Sequence, residues 1–280
     1  MLKNAQITGF ADEIHSDIKI QVRLLKELGI DFLELRSANG KSIASYTKEE
    51  AKALKEYLSE QKIQVSALGS PIGKISITEE FEPHFKVYQN VVEIAKIMET
   101  PNIRMFSFYI PNQEEPEKYQ DIVFDRMEHL VSYARKESVI LLHENEKDIY
   151  GDTAFRCKQL FDRFYGEHFK GTFDFANFVQ CGQDTSEAYE LLKSYIAYIH
   201  IKDALFATGQ VTPAGEGDGM VREILEKLDK MGYEGFLSLE PHLADFSGLK
   251  NLEKNPLTKN ISSGEAAFTI AYEALKKILI

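Results

Sequence analysis

Short runs of apolar residues recur along the chain at intervals of about 25 to 40 residues, which is the spacing of strand-plus-helix units. Several runs are almost continuously apolar, as in VILLH at 139–143 and FLSL at 236–239, and this is typical of strands that are buried on both faces of a parallel sheet. The pattern predicts eight strands, which are Gln6–Phe10, Phe32–Leu35, Gln64–Leu68, Ile103–Phe106, Val139–His143, Gly171–Asp174, Tyr198–Ile201 and Gly235–Leu239.

Amphipathic stretches separate the predicted strands. Apolar residues repeat with helical spacing between Ser16 and Gly29, and Thr47 followed by Glu50 forms a capping-box signature ahead of a second helix. Six further segments share the helical pattern, at 86–99, 118–136, 152–165, 186–195, 220–231 and 263–279. Strict alternation of strands and helices indicates a parallel sheet with helical crossovers, because parallel neighbours cannot be joined by tight turns.

Eight such units permit the sheet to close into a barrel, whereas an open doubly wound sheet normally stops at fewer strands. The GxGxxG fingerprint of a dinucleotide-binding fold is missing after the first predicted strand, which removes the best support for the open alternative. The sequence therefore predicts an α/β fold of one domain, a (β/α)₈ TIM barrel over residues 1–280. The irregular region Pro241–Ser262 is expected to be a long loop at the active-site face.

Composition and charge indicate which binding partners and which cellular compartment are expected. The formal net charge is −11, and no cluster of Lys and Arg interleaved with aromatic residues stands out, so nucleic acid is not an expected partner. The start MLKNAQITGF lacks the features of a signal peptide, and no apolar run approaches the roughly 20 residues that span a bilayer, so we expect a cytoplasmic protein without membrane contact. Cys157 and Cys181 form no CxxC motif and are expected to be ordinary reduced thiols.

An acidic or imidazole side chain lies at or near the end of each of four consecutive predicted strands. They are Glu144 in VILLHEN, Asp174 in GTFDFANF, His200 in YIHIKD and Glu240 in FLSLEPH. Reactive groups of a parallel barrel lie at the carboxyl ends of its strands, so these four side chains are expected to meet at one rim. Carboxylates are costly to bury unpaired, and a shared cation is the simplest way to hold three of them together.

The residue types of the four predicted ligands indicate which metal ions the site would prefer. Three carboxylates and one imidazole form an oxygen-rich set that suits Mn²⁺ or Mg²⁺, with Co²⁺, Fe²⁺ and Zn²⁺ also compatible. A structural zinc site is disfavoured. Four protein ligands on a metal that accepts five or six leave coordination positions for two substrate oxygens, which is the arrangement needed for Lewis-acid polarisation. We therefore predict one divalent metal ion as the cofactor.

The chain resembles the xylose isomerase-like TIM barrel family of sugar phosphate isomerases and epimerases, which also includes the family 2 AP endonucleases. The resemblance runs over nearly the whole length, and its most specific part is HIKD at 200–203 followed by PAGEGDG at 213–219. It implies a bound divalent metal and a small carbohydrate or polyol substrate. In the family's ketose epimerases the two metal-binding glutamates also carry the proton, which implies catalytic roles for Glu144 and Glu240 as base and acid.

Four further residues are candidates for substrate binding. Lys202 could neutralise an oxyanion, a carboxylate or a phosphate, Glu216 could hydrogen bond to the substrate from its loop, and Arg36 could bind an anionic group through its guanidinium fork. Some epimerases of the family place a second histidine three residues after the aspartate that ends the sixth strand. Asn177 stands there in this chain and cannot titrate, which argues against a tagatose 3-epimerase type of site.

These observations favour a metal-dependent isomerase or epimerase that moves a proton at a carbon next to a polarised carbonyl. A dehydratase or lyase similar to the inosose dehydratases of the family would begin with the same proton abstraction and is the main alternative. An abasic-site endonuclease is disfavoured, because it needs about three metals, many histidine ligands and a basic face. A barrel that binds a ligand without turnover is the non-enzymatic alternative. The sequence leaves open the substrate, its phosphorylation and the oligomeric state, a homo-oligomer included.

Overall fold

A ring of eight parallel strands forms the centre of the molecule. The computed structural model describes residues 1–244, 261 and 263–280. Every predicted strand is present, with bounds that differ by a few residues, and the largest difference is the extension of the third strand to Ile72. The strands are β1 (Gln6–Gly9), β2 (Phe32–Leu35), β3 (Gln64–Ile72), β4 (Asn102–Met105), β5 (Ile140–Glu144), β6 (Phe169–Asp174), β7 (Ile196–Ile201) and β8 (Phe236–Leu239).

The strands pair in the order β1-β8-β7-β6-β5-β4-β3-β2. All seven pairings are parallel, and the register sets Ser238 beside His200 and His200 beside Asp174. β1 and β2 stand at the two ends of this order and lie next to each other, although the described residues form no backbone ladder between them. The sheet is therefore a nearly closed (β/α)₈ barrel, which confirms the predicted fold class.

Helices surround the barrel and begin at the signals that the sequence carries. Thr47 and Glu50 form the predicted capping box, whereas the first helix is capped by Asp17, one residue after Ser16. The α-helices are α1 (Ile18–Glu27), α2 (Lys48–Glu60), α3 (Phe81–Met98), α4 (Gln120–Glu137), α5 (Ala154–Phe164), α6 (Phe175–Gln180), α7 (Thr185–Leu192), α8 (Val221–Lys230) and α9 (Gly264–Leu279).

Polar side chains form a layer inside the barrel. Ser66 of β3 hydrogen bonds to Thr8 of β1 at 2.8 Å and to the hydroxyl of Tyr198 of β7 at 2.9 Å. These strands are not neighbours in the sheet, so the bonds cross the barrel interior. Ser238 of β8 donates a hydrogen bond to Glu34 of β2 across the same space. We refer to these five residues as the interior polar layer, and all of them are buried.

No helix in the described ranges 1–244 and 263–280 is both long enough and apolar enough to cross a membrane. The long loop predicted at Pro241–Ser262 falls mostly outside the described residues, because positions 245–260 and 262 are not among them. The segment from Pro241 to Ala244 is described and buried, and it follows β8 at the rim where the strands end.

Candidate metal centre

The four predicted ligands meet at the carboxyl ends of β5 to β8, four successive strands of the ladder. Glu144 and Asp174 are the last residues of β5 and β6, His200 is the fifth residue of β7, and Glu240 directly follows β8. Each residue is at most 3% exposed. One ligand atom from each lies within 4.8 Å of the corresponding atoms of the other three, so the cluster could hold a metal ion. We call these residues the ligand cluster.

His200 lies at the middle of the ligand cluster. Its Nδ1 atom is 3.1 Å from Glu144 Oε1, 3.6 Å from Glu240 Oε2 and 3.9 Å from Asp174 Oδ2. The imidazole is therefore oriented with Nδ1 toward all three carboxylates. Phe10 packs edge-on against the ring, with 5.2 Å between the centroids, and fixes this orientation from the side.

The donor atoms of the ligand cluster suit a divalent cation. Glu144 Oε2, Asp174 Oδ2 and His200 Nδ1 are buried and form no hydrogen bond with the described part of the chain. Buried polar atoms of folded proteins are normally hydrogen-bonded, so donor atoms that converge with ion-pair neighbours alone are suited to share a cation. Three carboxylates with one imidazole match the preferences of Mn²⁺ and Mg²⁺ and are compatible with Zn²⁺, Co²⁺ and Fe²⁺.

Two basic side chains share the space with the carboxylates. Lys202 Nζ is 2.9 Å from Glu240 Oε2 and 3.2 Å from Asp174 Oδ2. Arg104 Nη1 is 3.3 Å from Glu144 Oε2 and 3.9 Å from Glu240 Oε1, and its guanidinium lies over the ring of Phe10. Both side chains are buried. Their charges balance part of the negative charge that the three acids concentrate at the rim.

The charges in the ligand cluster shift the pKa values of its members in different directions. Burial raises the pKa of Asp174 to about 7, although Lys202 opposes the shift. Burial would also raise the pKa values of the two glutamates, but His200 and Arg104 hold that of Glu144 below its usual range, and Lys202 acts in the same direction on Glu240. The pKa of His200 is raised against the effect of burial, chiefly by Glu144 and Glu34. The two glutamates therefore have lower pKa values than Asp174.

Asn177 supports Glu144 from the start of α6. Its Nδ2 donates hydrogen bonds to Glu144 Oε1 at 3.2 Å and to the backbone oxygen of Asn145 at 2.9 Å. Its backbone N–H donates to Asp174 Oδ1 at 2.7 Å, so that Asp174 caps the helix with one oxygen and faces the cluster with the other. Asn177 therefore lies beside the cluster, and its amide nitrogen donates to protein groups.

Arg36 reaches the ligand cluster from β2. Its Nη1 donates to Glu240 Oε1 at 3.3 Å, Nη2 to Glu13 Oε1 at 3.2 Å, and Nε to Asp12 Oδ2 at 2.8 Å. The fork predicted to bind an anionic substrate thus bridges three carboxylates of the protein. Asp12 and Glu13 were not predicted as site residues, because the segment ADE after the first strand carries no recognisable motif.

His242 is a further residue of this rim. Its backbone N–H donates to Glu13 Oε2 at 2.7 Å, and its Nε2 lies 3.4 Å from Glu240 Oε1 and 3.5 Å from Glu13 Oε1. Glu13, Glu240 and His242 form a second buried group of metal-ligand type that shares Glu240 with the ligand cluster. The guanidinium of Arg36 already contacts both acids of this second group.

The HIKD and GEGDG segments are joined by Asp203. The Oδ1 atom accepts hydrogen bonds from the backbone N–H groups of Ala204 and Gly219, and the Oδ2 atom accepts from those of Gly215 and Gly217, at distances of 2.8 to 3.1 Å. The glycines allow this approach, because a Cβ atom on Gly217 would lie 2.5 Å from the oxygen of Ala204 and even closer to Asp203. The part of the sequence most specific to the family thus builds the loop beside the cluster.

Glu216 occupies the outer side of that loop. Its side chain is exposed, and it lines a surface cavity with residues of α8 and α9. The lining of this cavity includes none of the four residues of the ligand cluster. The structure therefore brings Lys202, Arg36 and Asn177 to the cluster and leaves Glu216 at the surface.

Solved structures share this barrel. D-Psicose 3-epimerase from Clostridium cellulolyticum H10, solved with D-tagatose, superposes with a TM-score of 0.77 at 14% identity over 98% of each chain. The IOLI protein with a bound zinc atom gives 0.76 at 16% identity over 98% of each chain. The probable 3-DHS dehydratase AsbF from Bacillus anthracis gives 0.72 at 16% identity, with 97% of this chain and 98% of that chain covered. At these identities the likeness concerns the fold.

No curated protein sequence matches the chain significantly. The profile of the family described as "Xylose isomerase-like TIM barrel", in contrast, matches residues 22–260, which include the whole ligand cluster and both segments of the HIKD and GEGDG motif. The protein belongs to the xylose isomerase-like TIM barrel family.

Proposed function

We propose that the protein is a divalent-metal-dependent isomerase or epimerase of a small polyhydroxylated substrate. The observation that carries this proposal is the buried convergence of Glu144, Asp174, His200 and Glu240 at the ends of four successive strands. Ionised carboxylates at the rim of a barrel can both hold a cation and move a proton. The D-psicose 3-epimerase among the structural neighbours supports this class of reaction.

The chemistry that a divalent ion supplies at such a site is polarisation of a substrate carbonyl, which makes the neighbouring C–H group more acidic. Glu144 and Glu240 are the groups that exchange the proton. They stand at the two outer strands of the four-strand run, and neighbouring positive charges hold the pKa values of both below the usual range. The ionised glutamate removes the proton from carbon, and the other, which has taken up a proton from solvent, returns that proton. Delivery to the opposite face inverts the centre, and proton exchange with solvent restores the starting state of both groups.

Lys202 and Arg104 provide positive charge beside these carboxylates. Their nitrogen atoms lie within 2.9 to 3.3 Å of the nearest carboxylate oxygens. Both groups can donate hydrogen bonds to substrate oxygens that gain negative charge as the proton leaves carbon. Asn177 restrains Glu144 through the hydrogen bond to Oε1, so that this carboxylate keeps its direction toward the reacting carbon.

Dehydration is the second candidate reaction, and the structural likeness to the probable 3-DHS dehydratase AsbF favours its inclusion. Loss of water from a carbonyl compound also begins with removal of the proton next to the carbonyl. The two reactions then differ only in whether a hydroxyl group leaves from the next carbon. The same residues can therefore begin both reactions, and the product distinguishes them.

The experiment is incubation of the purified, Mn²⁺-loaded protein with ketoses, sugar acids and inosose in ²H₂O. We expect deuterium to enter one carbon of a substrate, and NMR shows whether the product is an isomer, an epimer or a dehydrated compound. Glu144→Gln and Glu240→Gln are expected to lower the rate by at least about 100-fold, since each variant lacks a proton-transfer group. The matched control is Glu146→Gln, because Glu146 is buried near the rim but pairs with Lys74.

Two outcomes would contradict the proposal. The first is a wild-type protein that holds no stoichiometric divalent ion after equilibration with Mn²⁺, Mg²⁺, Co²⁺, Fe²⁺ or Zn²⁺. The second is a Glu240→Gln variant that retains full activity, because the proposed mechanism requires a base at that position. Conversion without deuterium uptake would favour a hydride shift or a proton that is shielded from solvent.

A further inference from the structure

Glu34 is a buried acid that lies behind the ligand cluster. It belongs to β2, on the far side of the ladder from β6 and β7, and its side chain points into the barrel interior. Its Oε2 atom lies 3.3 Å from His200 Nε2, and the same oxygen accepts a hydrogen bond from Ser238 at 2.5 Å. The side chains of Glu34 and His200 are completely buried. An acid in this position needs a specific partner, because burial strongly disfavours an unpaired carboxylate.

The two nitrogen atoms of His200 therefore have different surroundings. Nδ1 faces Glu144, Asp174 and Glu240, whereas Nε2 faces Glu34 on the opposite side of the ring. Aromatic rings hold the imidazole edge-on from two sides, with centroid distances of 5.2 Å for Phe10 and 5.9 Å for Tyr198. A rotation that exchanges the two nitrogens would have to displace these buried rings.

A neutral imidazole carries one N–H group and one lone pair, and a metal ion takes the lone pair. A carboxylate next to Nε2 favours the tautomer with the hydrogen on Nε2, since that hydrogen can then be donated to the acid. The lone pair is left on Nδ1, where the other three ligands converge. The interior polar layer contributes to this arrangement, because Ser238 and Tyr198 both interact with Glu34.

We propose that Glu34 is a positioning residue for the metal centre, which holds His200 in the orientation and tautomer that present Nδ1 to a divalent ion. The inference rests on the proposed metal-dependent function and extends it by one residue. Glu34 does not contact the ion or the substrate. Its effect passes through the imidazole, so it acts on metal affinity before it acts on turnover.

The test compares metal affinity by competition with a fluorescent chelator for Zn²⁺ and Mn²⁺. Glu34→Leu removes the acceptor and is expected to weaken affinity by about 10- to 100-fold, the usual effect of losing such a partner. Glu34→Gln retains an acceptor oxygen without the charge, so we expect it to recover part of the affinity lost in Glu34→Leu. We expect this ordering because an oxygen at position 34 lies beside His200 Nε2.

Thr100→Val is the matched control. Thr100 is buried and donates a hydrogen bond to the backbone oxygen of Ser66 at 3.0 Å, but it precedes the strand Asn102–Met105 and so lies at the end of the barrel opposite the ligand cluster. We expect a lower unfolding temperature and an unchanged metal affinity. A variant that weakens metal binding merely by loosening the barrel would affect both measurements in both proteins.

Long-range ¹H–¹⁵N NMR of the Zn²⁺-loaded protein labelled at histidine reads the tautomer directly. The wild type is expected to show His200 with the hydrogen on Nε2 and the metal on Nδ1. The proposal is overturned if Glu34→Leu or, should that variant fail to fold, Glu34→Gln binds Zn²⁺ with wild-type affinity and an unchanged His200 spectrum. A wild type that binds no divalent ion would instead overturn the metal centre itself, and with it the role of Glu34.

Discussion

The ammonium nitrogen of Lys202 lies 2.9 Å from Glu240 Oε2 and therefore occupies the same group of carboxylates that would hold a metal ion. Asp174 Oδ2 is only 3.2 Å from the same nitrogen. The lysine and a divalent cation cannot both bind these carboxylate oxygens at full strength, because the two positive charges would repel each other at such short range. Lys202 is thus both a neighbour of the metal centre and a competitor for its ligands.

This competition predicts that Lys202→Met binds Mn²⁺ about tenfold more tightly than the wild type, although its activity falls. Without the ammonium, the buried carboxylates lose one of their counter-charges in the metal-free protein, which we expect to be destabilised by roughly 3 kcal/mol. Metal binding then relieves a larger repulsion among the carboxylates than it does in the wild type, which strengthens the binding. Chelator competition gives the affinity, and thermal unfolding with and without metal gives the stabilities.

Lys74→Met is the control for Lys202→Met. Lys74 also pairs with a buried acid, since its Nζ lies 2.9 Å from Glu146 Oε2, but it makes no contact with the four ligands. Its replacement is expected to lower stability without strengthening metal binding. Weaker Mn²⁺ binding in Lys202→Met would show that the ammonium group assists the ion, contrary to this prediction.

We expect the affinity for a divalent metal ion to increase with pH. The folded protein raises the pKa of Asp174 from 3.8 to about 7, mainly through burial, and raises that of His200 above 6.5. Raised pKa values mean that protons bind more tightly to the folded chain. For Asp174, the resulting stability of the metal-free fold is fully present below pH 3.8 and is lost as the pH rises to about 7.

A metal ion reverses this preference, because it needs both groups without their protons. We expect affinity for Mn²⁺ to increase by about tenfold per pH unit between pH 5 and 7 for each proton displaced. The gap in unfolding temperature between metal-loaded and chelator-treated protein should widen over the same range. An affinity that stays constant from pH 5 to 8 would contradict the raised pKa values of the ligands.

Gly217→Ala is predicted to destabilise the protein by about 1–3 kcal/mol, because its Cβ would collide with Asp203 and Ala204. The control is Gly166→Ala, since a Cβ built at that glycine meets no atom within 4 Å, and the change should stay below about 1 kcal/mol. Urea unfolding measures both. Equal stabilities of the two variants would show that the loop around Asp203 can accommodate the added Cβ atom without a loss of stability.

Asn177→Leu is expected to weaken Mn²⁺ affinity by about tenfold, because the hydrogen bond that orients Glu144 is lost. The control is Asn90→Leu, which likewise loses two donations to protein oxygens, here the backbone oxygens of Ala44 and Tyr46, neither of which belongs to a residue of the ligand cluster. Both variants should lose about 1–3 kcal/mol of stability. Only Asn177→Leu should change the metal affinity measured by chelator competition.

The barrel could be predicted from the sequence because its strands are short, apolar and regularly spaced, so that local pattern and global fold agree. The ligand cluster was predictable for the same reason. Glu144, Asp174 and Glu240 each lie at or just beyond the end of an apolar run, and the parallel topology then brings such ends to one rim. No long-range information was needed for these residues.

The partners of the cluster were harder to predict, because their roles arise from pairing across the barrel. Glu34 lies in β2 and Arg36 directly follows that strand with the same side parity, yet Glu34 meets His200 inside the barrel and Arg36 meets Asp12 and Glu13 at the rim. Nothing local in LELR distinguishes the two roles. Asp203 was likewise hidden, since its partners are backbone N–H groups of a loop that begins ten residues later.

The place where the barrel does not close by backbone bonds has a consequence for its motions. β1 and β2 lie side by side without a ladder in the described residues, and Arg36 ties the rim above them through its contacts with Asp12 and Glu13. Within the described residues, β1 and β2 each pair with a strand on one side only, whereas β5 to β8 each pair with a strand on both sides. Backbone hydrogen exchange should therefore be fastest in β1 and β2 and slowest in β5 to β8. The barrel can then open locally between β1 and β2 while the four ligands keep their spacing.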